Sequence, residues 1–278
     1  MPLTSCVLPA RGVLKITGND RLEFLQGLIS NDINKVTDQQ AIYSAFLTPQ
    51  GKFICDFFII GQEDGLLVDI AEDALPAFKK KLTMFKLRAD VAIADVSADY
   101  DVVVAFGGDE DLNQAGVFAD PRLKTAGYRA ILPTGTTIEN TESVDVAAYE
   151  THRIALGLPD GARDMTPEKS ILLENGFDEL NGVDWKKGCY MGQELTARTK
   201  YRALIKKRLF PVTFESDAPE SGTAIMAGEK TVGEVHSSQG AQALATIKLD
   251  ALEDTLTANG VALTVTQPDW MVIPEPKA

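Results

Sequence analysis

Lys187-Gly188-Cys189-Tyr190-Met191-Gly192-Gln193-Glu194 sets a thiol, a phenol, an amide, a carboxylate and a cation side by side. Glycines bracket the Cys-Tyr-Met run, and glycine reaches backbone conformations and close approaches closed to other residues. Taken alone, Cys189 reads as a packing thiol, since free cysteine is among the most buried residue types. Beside Lys186, Lys187 and Tyr190 the reading reverses: nearby cations lower a thiol's pKa and favour the thiolate, which can attack, exchange or ligate. Glu194 and Arg198 stand four residues apart, the spacing of a pair on one helix face, with a plain surface ion pair as the alternative. Lys200, Tyr201, Arg202, Lys206, Lys207 and Arg208 form a basic run, either a solvated face or a contact for an anionic ligand tail or an RNA phosphate.

Asp56 is a second candidate, within Phe53-Ile54-Cys55-Asp56-Phe57-Phe58. Strand alternation puts Ile54, Asp56 and Phe58 on one face. A carboxylate among such neighbours is costly unless paired or hydrogen-bonded, which favours a binding-site acid over a simple exposed position. His152 reads as a structural histidine. A hydrolase pairing Cys189 with His152 has the residue types for nucleophilic catalysis but lacks an oxyanion-loop motif.

The elements that must position these groups follow from pattern. Gly12–Gly18 reads as a strand and turn, and Asn19-Asp20 cap a helix over Arg21–Ser30 with Leu22, Leu25, Leu28 and Ile29 on one face. Ala41–Leu47 and Lys52–Ile60 form a hairpin around Thr48-Pro49-Gln50-Gly51, and Gly65–Ile70 is another strand. Glu72–Lys86 is helical, with Leu75, Phe78, Leu82 and Phe85 in register. Val91–Ser97, Val102–Phe106 and Arg122–Leu132 are strands, and Glu142–Leu156 is a helix stopped at Gly157-Leu158-Pro159. From Leu209 onward short strands alternate with turns, the pattern of a small antiparallel barrel.

Bulk properties narrow the classes. The 278 residues imply two or three packed units. Twenty-seven basic and 40 acidic residues give a net charge of -13, which repels nucleic acid at long range and argues against tight general nucleic-acid binding. Three scattered cysteines without a CxxC, and two histidines, argue against a disulfide framework or a metal site. Reduced thiols and an N-terminus without a secretory apolar region give a cytoplasmic expectation. No apolar run is long enough to span a bilayer, so no membrane partner is expected. Nothing in the sequence demands more than a monomer.

Four blocks, taken together, resemble the YgfZ/GcvT-type folate-binding family, whose relatives include the glycine-cleavage aminomethyltransferase and iron-sulfur assembly factors. They are Phe24-Leu25-Gln26-Gly27-Leu28-Ile29-Ser30-Asn31-Asp32, then Leu47-Thr48-Pro49-Gln50-Gly51-Lys52 running into Asp56-Phe57-Phe58, then Arg153 to Pro159, and Lys187 to Glu194. KGCYxGQE is the signature of the iron-sulfur branch. The resemblance implies an α+β fold, a ring of three units around a central folate channel with a C-terminal antiparallel β-barrel. Residues 1–202 would form the folate-binding region of two intertwined α+β units, and residues 203–278 the barrel.

The resemblance also implies tetrahydrofolate or a one-carbon derivative as the cofactor, bound pterin end deep and glutamate tail outward. Asp56 would lie close to the reacting folate nitrogen, with Asn31 and Asp32 in the wall. Arg198 or Arg202 would meet the tail, since an arginine fork matches a carboxylate. Lys187, Tyr190, Gln193 and Glu194 join the binding set, and Cys189 with Asp56 the catalytic set. Two departures separate the chain from the aminomethyltransferases: Cys189 stands where they carry an acid, and Ala155 where a glutamate grips the pterin. The implied function is an accessory role in maturation or repair of [4Fe-4S] proteins, with iron-sulfur client or assembly proteins as partners. A folate-dependent aminomethyl or methyl transferase is the alternative. A tRNA modification role is a further option through the basic run.

Overall fold

The computed structural model describes residues 2–108, 110–202 and 205–274. Its elements, in chain order, begin with β1 (Thr4–Val7), β2 (Arg11–Thr17), α1 (Arg21–Gln26), β3 (Ile42–Leu47), β4 (Phe53–Gln62), β5 (Gly65–Ala71), α2 (Leu75–Phe85) and β6 (Ala92–Asp95). Next come β7 (Tyr100–Phe106), β8 (Val117–Ala119), β9 (Tyr128–Pro133), β10 (Glu142–Ser143), α3 (Val146–Ala155), α4 (Gly161–Asp164) and α5 (Gln193–Tyr201). The last are β11 (Lys207–Phe214), β12 (Ala224–Ala227), β13 (Lys230–Gln239), β14 (Gln242–Lys248), β15 (Leu256–Ala258) and β16 (Val261–Val265).

Two five-stranded sheets, ordered β3-β4-β5-β2-β6 and β10-β1-β7-β9-β8, share the N-terminal segment, because β1 leaves its neighbour β2 to pair with β7. The six C-terminal strands close into an antiparallel barrel, as expected. The barrel is filled by Phe210, Val212, Val235, Ala245 and Ile247, all buried on alternating strand positions. The expected boundary between residues 202 and 203 touches Ala203 and Leu204, and the tail touches residues 275–278; these lie outside the described residues.

The first sheet is coated on one face by both helices. Leu25 and Ile29 from α1 and its exit, with Leu75, Phe78 and Leu82 from α2, join Phe46, Cys55, Phe57 and Ile59 in one core. The opposite parity of β3 and β4 carries Tyr43, Asp56 and Phe58. An extra residue in β4 opposite Phe46/Leu47 sends Ile54 to the helix side, so the expected alternation holds only for Asp56 and Phe58.

Two helices differ from expectation. Helix α1 ends at Gln26 instead of Ser30, because Ile29 pairs with Phe46 as an isolated bridge and leaves helical geometry. The expected helix over Glu142–Leu156 is divided: Glu142–Ser143 joins β1 as an edge strand, and Asp145 restarts the chain as an N-cap, its carboxylate accepting from the Ala147 amide at 2.8 Å.

Candidate functional site

A cavity of about 670 Å³ opens where the two sheets, α3 and α4 meet, lined by Arg11, Asp56, Phe58, Arg122, Arg129, Tyr149, Glu150, Arg153, Asp160 and Arg163 among others. Each side chain arrives from a different element. Register places Asp69 of β5 opposite Phe58 of β4, and Asp69 bridges the sheets: it accepts from Arg11 Nε and from Arg129 Nε. Burial alone would raise the Asp69 carboxyl, but the two guanidiniums hold it below its ordinary pKa. The Arg129 guanidinium also lies 4.1 Å from the centroid of Phe58. A desolvated cation on an aromatic face contributes on the order of 2 kcal/mol.

The other arginines are held just as firmly. Asp120 grips Arg122 through two side-chain bonds of 3.0 and 2.7 Å. Arg153 donates to Glu150, Asp164, Ser237 Oγ and the Leu158 carbonyl, joining α3 and α4 to strand β13 of the barrel. Arg163 donates to Glu150 and Asp160, both at 2.8 Å. Burial opposes ionisation of Asp160, yet Arg163, Arg153 and Arg11 draw its pKa down to about 2.

Asp56 departs from these acids. Its Oδ2 accepts from Tyr43 Oη at 2.8 Å, and its carboxyl pKa is raised. Burial is the main cause and the charge of Asp160 adds to it, against the pull of Arg11, the Tyr43 hydroxyl and Arg122. Gly161, at the start of α4, leaves the space that Asp56 Oδ1 occupies; a Cβ there would overlap that oxygen. Asp56 also lines a second cavity of about 310 Å³, walled by Phe53, Ala77, Lys81, Gly161 and Pro167. The acid therefore sits between two openings and holds a proton more readily than its neighbours.

The signature loop occupies another place. Lys187 Nζ donates to the Gln26 and Ile29 carbonyls at 2.7 and 2.5 Å and lies 4.9 Å from the centroid of Tyr190. Burial lowers the Lys187 pKa to about 8 and pushes the Tyr190 phenol up to about 12. Gln26 Nε2 donates to Asp32 and to the Lys187 carbonyl, and the Met191 amide donates to Gly27 O at 3.0 Å. Gly192, at φ +82°, leaves no room for a side chain: a Cβ would stand 2.5 Å from Thr48 O and 2.9 Å from Gly51 Cα. Three of the four sequence blocks thus converge, and Cys189 rides exposed on top.

The expected residues therefore divide. Asp56 lines the main cavity. Lys187, Tyr190 and Gln193, whose Oε1 accepts from the Tyr190 amide, build the loop. Asp32 caps the turn after α1 through the Asn34 amide. Asn31 is buried, donates to the Tyr43 and Asn181 carbonyls, and lines a separate 360 Å³ cavity with Asp120 and Asn181. Glu194, Arg198 and Arg202 are exposed on or just after α5 and line none of these cavities. No ion pair joins Glu194 to Arg198 among the described residues, as suits a solvated pair of small net value. The basic run is partly neutralised, with Lys200 on Asp178 and Arg208 on Glu179. Ala155, which the resemblance set in the place of a pterin-gripping acid, faces solvent, whereas Glu150 of the same helix faces the cavity.

His152 packs 5.0 Å from the Phe106 ring on α3, and its pKa is lowered by burial. No hydrogen bond links it to Cys189 among the described residues, so nothing supports that hydrolase pair. The sequence reading missed Tyr43, Asp69, Arg129 and Glu150. Asp69 carries the signal used for Asp56, a lone acid in the apolar run Leu66-Leu67-Val68-Asp69-Ile70. Among the described residues, no group of three or more His, Cys, Asp or Glu could hold a metal ion, and no helix is long and apolar enough to cross a membrane.

Comparison with known proteins adds family context. Residues 206–273 match the family model described as CAF17, C-terminal beta-barrel domain. The chain is 37% identical over 226 residues to the mitochondrial iron-sulfur cluster assembly factor IBA57 homolog of Mycosarcoma maydis, covering 74% of this chain and 56% of that protein. It is 32% identical to the Dictyostelium discoideum homolog, spanning 66% of that protein's length. Against human IBA57 it is 30% identical, with 95% of this chain and 84% of the human protein covered. The glycine cleavage system aminomethyltransferase T of Bartonella henselae superposes with a TM-score of 0.76 over 97% of this chain and 86% of that one. At 14% identity that likeness shows the fold, and the GcvT-like architecture stands. The cytoplasmic expectation is overturned, because the curated relatives are mitochondrial. Reduced thiols do not separate the two compartments.

Proposed function

Because the chain belongs to the IBA57 family of iron-sulfur cluster assembly factors, we propose that it serves the maturation or repair of [4Fe-4S] proteins, with Cys189 as its working group. The observation that carries this reading is the exposed thiol on a loop clamped from below by Lys187, Gln26 and the Gly51–Gly192 contact. Such a clamp presents one thiol at a fixed place while the backbone beneath it stays put, which suits passing contact with a client or assembly protein. The KGCYMGQE sequence of the loop supports the iron-sulfur branch of the wider folate-binding family.

Tetrahydrofolate or a one-carbon derivative is the proposed resident of the main cavity, and the residues present fit it. The volume lies in the range of small-molecule sites. Phe58 and Tyr149 offer apolar and aromatic walls, Glu150 a carboxylate that can accept from ring N–H groups, and half-exposed Arg163, whose Nε and Nη2 already hold Asp160 and Glu150, its Nη1 for a tail carboxylate. When bound, the folate would supply a one-carbon carrier. Asp56, its pKa raised, holds or releases a proton at the deep end, and Tyr43 fixes the orientation of its carboxyl. Arg198 and Arg202, exposed on the α5 side, have no part in holding the ligand in this reading.

The test replaces Cys189 with Ala in cells lacking the native copy, with [4Fe-4S] enzyme activities as the readout. Loss of those activities is expected, while the unfolding free energy stays within the range of neutral surface changes, about 0.5 kcal/mol. Normal activities would sink the reading. The transferase alternative rests on Asp56 and expects turnover of tetrahydrofolate with an amine or methylated donor, abolished by Asp56→Asn.

A further inference from the structure

The arginines of the main cavity differ in exposure, and the difference gives the cavity a direction. Arg163 is 46% exposed and marks a rim, whereas Arg129, at 2%, and Asp56, at 6%, mark a closed end. Most of the guanidinium donors along this path are spent. Arg122 uses all three of its nitrogens, on Asp120 and on the Pro159 carbonyl. Arg11 commits Nε and Nη2 to Asp69, and Arg153 commits both of its Nη atoms to the hub that joins α3, α4 and the barrel.

Arg129 is the exception. Its Nε alone is used, on Asp69, and its plane is laid on Phe58 with Cζ 4.1 Å from the ring centroid. Neither Nη1 nor Nη2 has a hydrogen-bond partner among the described residues. Neither is among the buried atoms sealed away without one, so both reach the cavity that Arg129 lines. The ion pair at Nε and the ring beneath fix the guanidinium, and its open Nη edge offers donors in a set direction. An unmet donor in a desolvated site is costly, so such an edge favours a ligand oxygen.

The surrounding charge decides which oxygen. Asp69 already neutralises Arg129, and Asp56, Glu72, Asp73, Glu150 and Asp160 line the same cavity. A carboxylate or phosphate reaching the closed end would meet those acids. A carbonyl oxygen takes the same bonds and brings no charge.

We propose, on the folate reading of this cavity, that Arg129 is its specificity-determining residue, with the Nη edge taking the ring oxo oxygen of the folate. A ring with an amino group at that carbon would set N–H donors against N–H donors. A site built to meet an acceptor rejects such an analogue strongly.

The test titrates the purified full chain, without oxygen, with tetrahydrofolate and with 4-amino-4-deoxytetrahydrofolate by isothermal calorimetry. Tetrahydrofolate is expected to bind about tenfold tighter or more. In Arg129→Lys, which keeps a cation opposite Asp69 but loses the fork, that preference should shrink to about threefold or less, through weaker binding of tetrahydrofolate. Phe58→Leu leaves the Asp69 pair in place and frees the guanidinium plane; it should narrow the preference as well, and it decides the matter if Arg129→Lys does not fold. Equal affinities in the unmodified chain would overturn the role of Arg129 and leave folate in the cavity. So would a preference unchanged in Arg129→Lys, or in Phe58→Leu where the lysine variant does not fold. Binding of neither ligand would sink the folate reading itself, and the role of Arg129 with it.

Discussion

Around Asp56 the chain buries its charged side chains and neutralises them in fixed pairs; around Cys189 it leaves the thiol in water and anchors the loop beneath it instead. Charge in the cavity is divided among Asp69 with Arg11 and Arg129, Asp120 with Arg122, and Glu150 with Arg153 and Arg163. In the loop the half-buried cation, Lys187, binds carbonyls instead of an acid, and desolvation shifts it down. The difference teaches how each site is tuned. In the proposed folate site, rigid desolvated pairs would give selectivity, and one odd member among them, Asp56 with its raised pKa, would exchange a proton. A thiol that meets another macromolecule, as proposed for Cys189, would need reach and a firm base.

The sharpest way to break this contrast is Asp69→Asn. It leaves two buried guanidiniums without their shared partner and should cost about 3–5 kcal/mol, read as a large drop in urea midpoint. The sign with pH follows from a depressed folded pKa. The stabilisation is full above the ordinary aspartate value and is lost as pH falls through the lower folded value. The variant should therefore lose part of the acid limb of the stability profile. Indifference to Asp69→Asn would mean the sheets are not held by this bridge.

On the loop side, Lys187→Met strips donors from two carbonyls and should cost about 1–3 kcal/mol. Labelling of Cys189 by a maleimide should change rate at the same time, because its support loosens; an unchanged rate would detach the thiol from its clamp. The smallest effect sharpens the contrast within the cavity. Asp56 has a raised folded pKa, so its favourable contribution is full below the ordinary aspartate value and is lost as pH rises through the folded one. Asp56→Asn should thus raise stability near pH 7 by about 1 kcal/mol, roughly 2–4 °C in melting temperature. The gain should vanish in acid. A loss of stability at neutral pH would show that the ionised form is the favoured one.

Much of this division was legible before any coordinates. The apolar setting of Asp56 marked it because burial of a lone acid leaves a trace in a single strand. The glycines around Cys189 marked the loop, and both Gly188 and Gly192 do take positive φ. The short turns after Leu209 announced the barrel. The arginine partners were not legible, since Arg11, Arg122 and Arg129 converge only when two sheets face each other, and no local spacing records that. Arg198 and Arg202, which the resemblance set at a folate tail, line none of the cavities described, whereas Arg163 lines the main one, and no spacing within a helix records which cavity it borders. Strands β1, β8, β12 and β15 are three or four residues long and are defined by their partners more than by their own pattern.

Arg153 gives the molecule a mechanical property beyond its place in the cavity wall. Its guanidinium bonds at once to α3, to α4 and to Ser237 of the barrel, and the Asp164 carboxylate that receives it also receives the Ser237 amide. The barrel cannot swing away without taking Ser237 from the buried Arg153 and both of the Ser237 donors, amide and hydroxyl, from Asp164. Heat should consequently melt the barrel and the cavity wall in a single cooperative transition, and a protease that nicks one should release both.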